Sequence, residues 1–520
     1  MDRHDLLTIS SPHAAFIHII DDDSLLNIFC FYRPVFIDED EELGVLFRAG
    51  RGWGHERWWF KVAHVCQRWR RLILGSASYL GLCLVCTTGT PVADMLAHAP
   101  PLPLIVDHSY ERREITAEDR NGITLALKQY DRVRRIRLRM HVVDLRKLIV
   151  ALSEEYPILE YLIMGPLTEE RPILRLRNTF QAPHLRHLLL IGFQVIPTIG
   201  LSFLMTTVDL VVLSLVVSHP STYFQPTILR QWLSLMPQLE SLLIEIPLVI
   251  PNRDAEIQLT RTAAVPPITL PNLRRFVFLG AGTYLETVVR GITAPQLKEL
   301  GINLFKELTV SVPHILQFVN TAESLQFSHA EFKFLEEIVT VELYLHEDAD
   351  IYPLTIAVDC WSLDLQVSSV AHIFNSLGQG LPAVEHLALE RVVASWSSDE
   401  DDDSDADDPT EWHNLLRSFS NVKTLRVEDG LVEEISSSLR SEDGELPRGL
   451  LPKLQELTYR AESDTSDTSA PFTSFIDARR NAGRPVSLVR HTTSPNSSEP
   501  SSDVLVITSE LRGGYVGDDF

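Results

Sequence analysis

The chain has 520 residues, of which 45% are hydrophobic and 22% charged, and it carries a formal net charge of −24 with a pI near 5.2. That length exceeds what one small core holds, so two or more domains or an elongated repeat are expected, and the apolar content is that of a folded protein. The acidity argues against nucleic acid as the main partner, because binding phosphates needs a basic surface. The five cysteines (Cys30, Cys66, Cys83, Cys86, Cys360) make no disulfide framework in a chain this long. Their odd number, and the lack of a secretory-type apolar core in the opening MDRHDLLTIS, point to a reducing compartment, cytoplasmic and/or nuclear.

In chain order, the first element is a helix opened by Asp21 to Ser24, which supply N-cap oxygens and acidic charge ahead of Leu25, Leu26, Ile28 and Phe29. Pro34 ends it, and an acidic, glycine-bearing insert fills residues 33–57. Next comes WWFKVAHVCQRWRRL, in which Trp58, Val62, Val65, Trp69 and Leu72 recur at alternating steps of four and three. That spacing predicts one helix with an apolar face. Trp58, Val62 and Trp69 are expected in the core, while Leu25 and Ile28 of the first helix are the better candidates for an exposed docking face. YLGLCLVC at Tyr79 to Cys86 reads as a buried strand. Its Cys83 and Cys86 form a lone pair of thiols without a second ligand pair, so they read as small apolar residues and no metal is expected.

Further on, a fragment x-P-x-L-x-x-L-x-L returns repeatedly: YPILEYLIM at Tyr156, APHLRHLLL at Ala182, MPQLESLLI at Met236, LPNLRRFVF at Leu270, APQLKELGI at Ala294, LPAVEHLAL at Leu381 and LPKLQELTY at Leu451. YDRVRRIRL at Tyr130 and FSNVKTLRV at Phe419 are variants without the proline. Many copies are about 24 to 34 residues apart, the range of solenoid repeats. The last two apolar positions are two apart, as in a strand with one buried face, and short amphipathic helices precede several copies. Ile228, Leu229, Trp232 and Leu233 form one such helix, and Val370, Ile373, Phe374 and Leu377 another. The proline belongs to the helix-to-strand turn, and each unit must stack on neighbours to bury its face. Leu188 to Val217 has a single charged residue, Asp209, yet Gly192, Pro197 and Gly200 break it, so buried strands are expected in preference to a membrane span.

Alternation along Arg132 to Met140 puts Arg135, Arg137 and Arg139 on one face. A solvated strand face is one reading, and a site for acidic or phosphorylated substrate segments is the other. The run SSDEDDDSDADD repels itself and is expected as a disordered loop over residues 396–410, where Ser397, Ser398 and Ser404 resemble acceptors for an acid-directed kinase. The Ser/Pro-rich residues 491–520 read as a low-complexity tail. No nucleophile elbow, phosphate-binding loop, zinc-protease helix or dinucleotide fingerprint is present, so catalysis and a cofactor are not expected.

DDDSLLNIF followed by VCQRWRRLILGSASYL at Val65 to Leu80 resembles the F-box, and the repeats after it resemble the arrays that accompany this module in mushroom-forming fungi. The resemblance implies an α/β chain: a helical F-box-like domain over residues 1–90, then an irregular leucine-rich-repeat-like solenoid of helix–turn–strand units over 91–490. It implies a substrate receptor of an SCF-type ubiquitin ligase, docked on a Skp-type adaptor and cullin scaffold through Leu25, Leu26, Ile28, Phe29, Val65, Cys66, Trp69 and Leu72. Such a receptor holds an unknown protein substrate, with no nucleic acid or membrane involved. The usual Leu-Pro before the first helix is replaced by Ile20 and Asp21, and the insert separates the two motif halves. These departures motivate the alternative, a non-ligase interaction scaffold that keeps the F-box fold without adaptor binding.

Overall fold

In the computed structural model, five copies of the recurring fragment close as the same four-residue turn. The Leu159 N–H donates to the Tyr156 carbonyl, Leu239 to Met236, Leu273 to Leu270, Leu297 to Ala294 and Leu454 to Leu451, at 3.1–3.3 Å. Proline occupies the second position of each, where its fixed φ suits the turn and its missing N–H is not needed. The fourth, seventh and ninth positions are then buried together: Leu239, Leu242 and Ile244, for example, are at most 1% exposed. Each such side chain withdrawn from water stabilises the array by about 1.5–3 kcal/mol, before the ordering entropy is subtracted.

The structure describes residues 20–33, 56–109, 115–167, 173–193, 202–217, 219, 223–246, 266–305, 313–322, 325–346, 353–360, 362–377, 384–392, 409–428, 430–439, 450–460 and 472–491. The acidic run with Ser397, Ser398 and Ser404, most of the insert and nearly all of the tail lie outside them. Two compact units are present, one within residues 1–170 with 179–182, the other within 171–178 and 183–504. The boundary expected at residue 90 falls inside the first.

The first unit begins with helices α1 (Asp22–Tyr32), α2 (Trp58–Ala63) and α3 (Gln67–Gly75). It continues through β1 (Leu84–Thr87), α4 (Val92–His98), β2 (Leu104–Ser109), α5 (Ala117–Leu127), β3 (Val133–Met140), α6 (Val142–Ile149) and β4 (Tyr161–Pro166). The four strands are parallel in the order β1-β2-β3-β4, as crossover helices require. The predicted single tryptophan helix is two. Cys66, with φ −157° and ψ 169°, is extended and starts α3, so Val65 lies in the connector and leaves the expected face.

In the second unit the succession is β5 (His187–Ile191), β6 (Val212–Val216), α7 (Pro226–Leu233), β7 (Ser241–Glu245), β8 (Ile268–Thr269), β9 (Arg275–Gly280), α8 (Gly282–Val289) and β10 (Ile292–Thr293). Then follow β11 (Glu299–Leu304), α9 (Pro313–Asn320), β12 (His329–Phe334), β13 (Ile338–Tyr344), β14 (Leu354–Asp359), α10 (Leu363–Leu377) and β15 (His386–Arg391). The last are α11 (Pro409–Arg417), β16 (Thr424–Val427), α12 (Val432–Ser438), β17 (Glu456–Arg460), α13 (Thr473–Asn481) and β18 (Ser487–His491). The apolar stretch after Leu188 forms the buried strands β5 and β6, and no helix of the described residues is long and apolar enough to cross a membrane.

Neighbouring turns are joined by side chains as well as by the sheet. Asn272, just after one proline, donates through Nδ2 to the Pro237 carbonyl at 3.1 Å and to Gln238 Oε1 at 3.3 Å in the preceding copy. Lys453 reaches Asn421 Oδ1 in the same way at 2.5 Å. Where chain order runs steadily, the sheet is parallel: β5-β6-β7-β9-β11 and β15-β16-β17-β18. Between these runs the order is β14-β13-β12, with β13 antiparallel to both neighbours. This departs from the expected succession of identical units, and the cause is local. Only three residues separate β12 from β13, too few for a crossover helix, so the chain turns back as a hairpin, closed by Leu335 N–H to the Ile338 carbonyl at 2.9 Å.

Candidate functional site

The three N-terminal helices carry the candidate site. Asp21 caps α1 by accepting from the Ser24 N–H at 2.8 Å and from its hydroxyl at 2.9 Å, and these bonds hold its carboxyl below the usual value. Leu25 and Phe29, one helical turn apart, are each 1% exposed, and the Phe29 ring meets Trp69 of α3 edge-on at 5.0 Å. Arg68 ties the starts of α1 and α3 by donating to Asp22 Oδ1 and to the Ile20 carbonyl, both at 2.6 Å. The Asp22 carboxylate is well exposed, so that pair fixes geometry and contributes at most about 1 kcal/mol.

With Leu25 and Phe29 committed inward, the helical period turns Phe31 outward, while Ile28 flanks the packed stripe and Tyr32, on the same stripe, is the last residue of the helix. Ile28 is 47% exposed, Phe31 90% and Tyr32 56%. The Tyr79 hydroxyl approaches Asn27 Oδ1 at 3.4 Å, and its Cys30 contact is the first cause of its raised pKa, so this exposed ring lies beside the same helix. Val65 is also exposed. Among the sequence-predicted contacts, then, Leu25 and Phe29 shape the surface from beneath. Leu26, Cys66, Trp69 and Leu72 are half-buried, and Ile28 and Val65 are open to a partner. Phe31, Tyr32 and Tyr79 were missed. Phe31 could have been found, since a stripe through Leu25 and Phe29 excludes position 31, whereas Tyr32 shares that stripe and its exposure at the helix end has no signal in the spacing.

Exposed aromatic rings on a surface helix are costly to leave in water and mark interaction sites when they cluster. The underside of this surface is well anchored. Trp58 and Trp59 are buried, Trp59 Nε1 donates to the Cys83 carbonyl at 3.1 Å, and Tyr32 leans on Trp58 at 6.3 Å. Burial raises the Cys83 thiol and pushes Cys86 up to about 11, which keeps both protonated at neutral pH.

The arginine row is not a solvated face. Arg137 is 9% exposed and grips Asp107, 2% exposed, through two bonds of 2.8 and 2.9 Å. Arg135 donates to the buried Glu56 at 3.1 Å and lies over the Tyr161 ring at 4.9 Å, joining the start of α2 to the sheet. Arg139 is half-buried beside them. The alternation was read correctly, but cross-strand carboxylates from β2 and the α2 segment hold Arg135 and Arg137 inside the unit. Two of the three guanidiniums are thereby already bound to carboxylates of this chain.

No family model matches the chain, and no curated protein matches it. Among solved structures it is similar to the leucine-rich repeat-containing protein LegL7 from Legionella pneumophila, with 11% sequence identity and a TM-score of 0.24 over 77% of this chain and 98% of that one.

Proposed function

We propose that this protein is the substrate-recognition subunit of an SCF-type ubiquitin ligase. The F-box-like helices dock on a Skp-type adaptor that bridges to cullin, and the repeat array holds a protein substrate near the ubiquitin-charged enzyme. The observation that carries the reading is the exposed set Ile28, Phe31 and Tyr32 on a helix that is anchored through the buried Leu25 and Phe29. Its support is the coincidence of that face with the Val65–Leu80 motif and a following array of stacked repeats. The receptor does no chemistry and uses no cofactor; it contributes proximity and orientation. Nucleic acid and membrane take no part, and the protein works in the cytoplasm, the nucleus or both.

The burial of Leu25 and Phe29, with Ile20 and Asp21 in place of Leu-Pro, favours a second reading, a scaffold that keeps the helices without adaptor binding. Purification of the tagged full chain at mild salt separates the two. Recovery of the adaptor supports the ligase reading, and its absence from the native complex leaves the scaffold.

A further inference from the structure

Among the described residues no strand lies outside β1, whose one partner is β2. Successive residues of a strand turn their N–H and C=O groups to opposite sides. The Leu84 N–H bonds toward β2, to the Pro103 carbonyl at 2.8 Å, so Cys83, Val85 and Thr87 turn their carbonyls to the outer edge. Such an open row is a template for pairing with another chain. Here side chains close it. Trp59 Nε1 donates to the Cys83 carbonyl at 3.1 Å, Arg57 Nη2 to that of Val85 at 3.1 Å, and the Thr90 hydroxyl to that of Thr87 at 2.6 Å.

Two of the three bonds come from residues 56–63, which cross the edge as a strap. Glu56 extends the hold by accepting from Arg135 of β3 at 3.1 Å. The other side of the strap belongs to the docking helices. Trp58 meets the ring of Tyr32 at 6.3 Å, and Arg70 of α3 donates through Nε to the Ala63 carbonyl at 3.2 Å. α2 itself has six residues, and no side chain caps its N-terminus. A helix that short is not stable alone in water, so its place over β1 depends on what packs against both sides. Covers of this kind open locally at lower cost than the whole unit unfolds.

We infer that residues 56–63 are a coupling strap: a partner seated on Ile28, Phe31 and Tyr32 tightens the cover over the β1 edge, and an open cover weakens that partner's docking. The inference rests on the receptor reading above and assigns its docking site a conformational control. The route is contiguous. A partner that buries Tyr32 restrains Trp58, and Arg57 and Trp59 on either side of Trp58 are the two residues of the strap that hold β1. Coupling between binding equilibria is reciprocal, so the factor by which the partner suppresses opening is also the factor by which an open strap loses affinity.

The test is hydrogen exchange of the purified full chain with and without a saturating Skp-type adaptor. The adaptor should slow exchange of residues 82–87 by at least about fivefold more than exchange of residues 133–140, the interior strand β3. Trp59→Phe, which keeps a ring but removes the donor to Cys83, should speed exchange of residues 82–87 by about tenfold without adaptor. Tyr32→Ala, measured at an adaptor concentration that saturates it, should lose most of the slowing. Equal slowing of both segments, unchanged exchange in Trp59→Phe, or full slowing in Tyr32→Ala would overturn the coupling. An adaptor that binds the native chain while residues 82–87 exchange as before defeats the strap alone. A native chain that binds no adaptor defeats the receptor reading, and the coupling with it.

Discussion

The Asp107–Arg137 pair sets a quantitative prediction. Both side chains are buried, and their two bonds of 2.8 and 2.9 Å join neighbouring strands at directly opposed positions. Replacing one partner strands the other in a poorly solvated place and costs roughly 3–5 kcal/mol. Asp107→Leu alone, or Arg137→Met alone, should therefore raise the opening equilibrium of β2 and β3 by about two to three and a half powers of ten, at ~1.4 kcal/mol per tenfold. The double variant puts apolar volume on both sides and should recover to within about 1 kcal/mol of the native chain. Hydrogen exchange of peptides covering residues 104–109 and 133–140 reads this locally, without assuming that the two units unfold together. Single variants that change exchange by less than tenfold would refute the claim that these arginines serve the interior.

Other expectations follow from single sites. His108 is buried, and burial pushes its pKa down to about 4 from 6.5. Its contribution is complete above the unfolded value and is lost as pH falls toward the folded one, roughly 3 kcal/mol in all. Denaturation between pH 7 and 4 should thus show a steeper loss for the native chain than for His108→Leu; equal slopes would contradict this. Leu425, 0% exposed in β16, should cost about 2–5 kcal/mol on truncation to alanine, read as faster exchange in β16 and β17. Glu286 of α8 accepts from the His314 and Ile315 N–H groups at 2.9–3.1 Å and so caps α9 from outside. Glu286→Ala should cost about 1–2 kcal/mol, with fraying confined to residues 313–320, and unchanged exchange there would argue against the cap.

The repeat units were legible because each turn is marked locally. Proline fixes the second turn position, and the buried positions fall at constant offsets from it, as at Leu239, Leu242 and Ile244. The reversed β13 was not legible as topology. HAEFKF and IVTVELY alternate clearly enough, but no turn motif announces that the link between them is too short for a helix. The break at Cys66 was hidden because no proline or glycine interrupts Trp58 to Leu72, and the apolar spacing suits one helix or two. At the candidate site, periodicity located α1 but not which of its faces was buried. That choice was made by Trp69, which captures Phe29 and leaves Phe31 outside. Arg137 shows the same limit: its face was read from alternation, whereas its partner Asp107 required the register between β2 and β3.

The most direct test of the account is the affinity of the purified full chain for a Skp-type adaptor, measured by calorimetry for the native protein and for Ile28→Asp with Phe31→Asp. Both side chains are exposed, so the fold should survive, as far-ultraviolet circular dichroism would check. Burying such an aromatic anchor at an interface typically carries at least ~2 kcal/mol, so binding should fall by about thirtyfold or more. Native and variant chains that bind the adaptor equally well would contradict the assignment of this face as the docking surface.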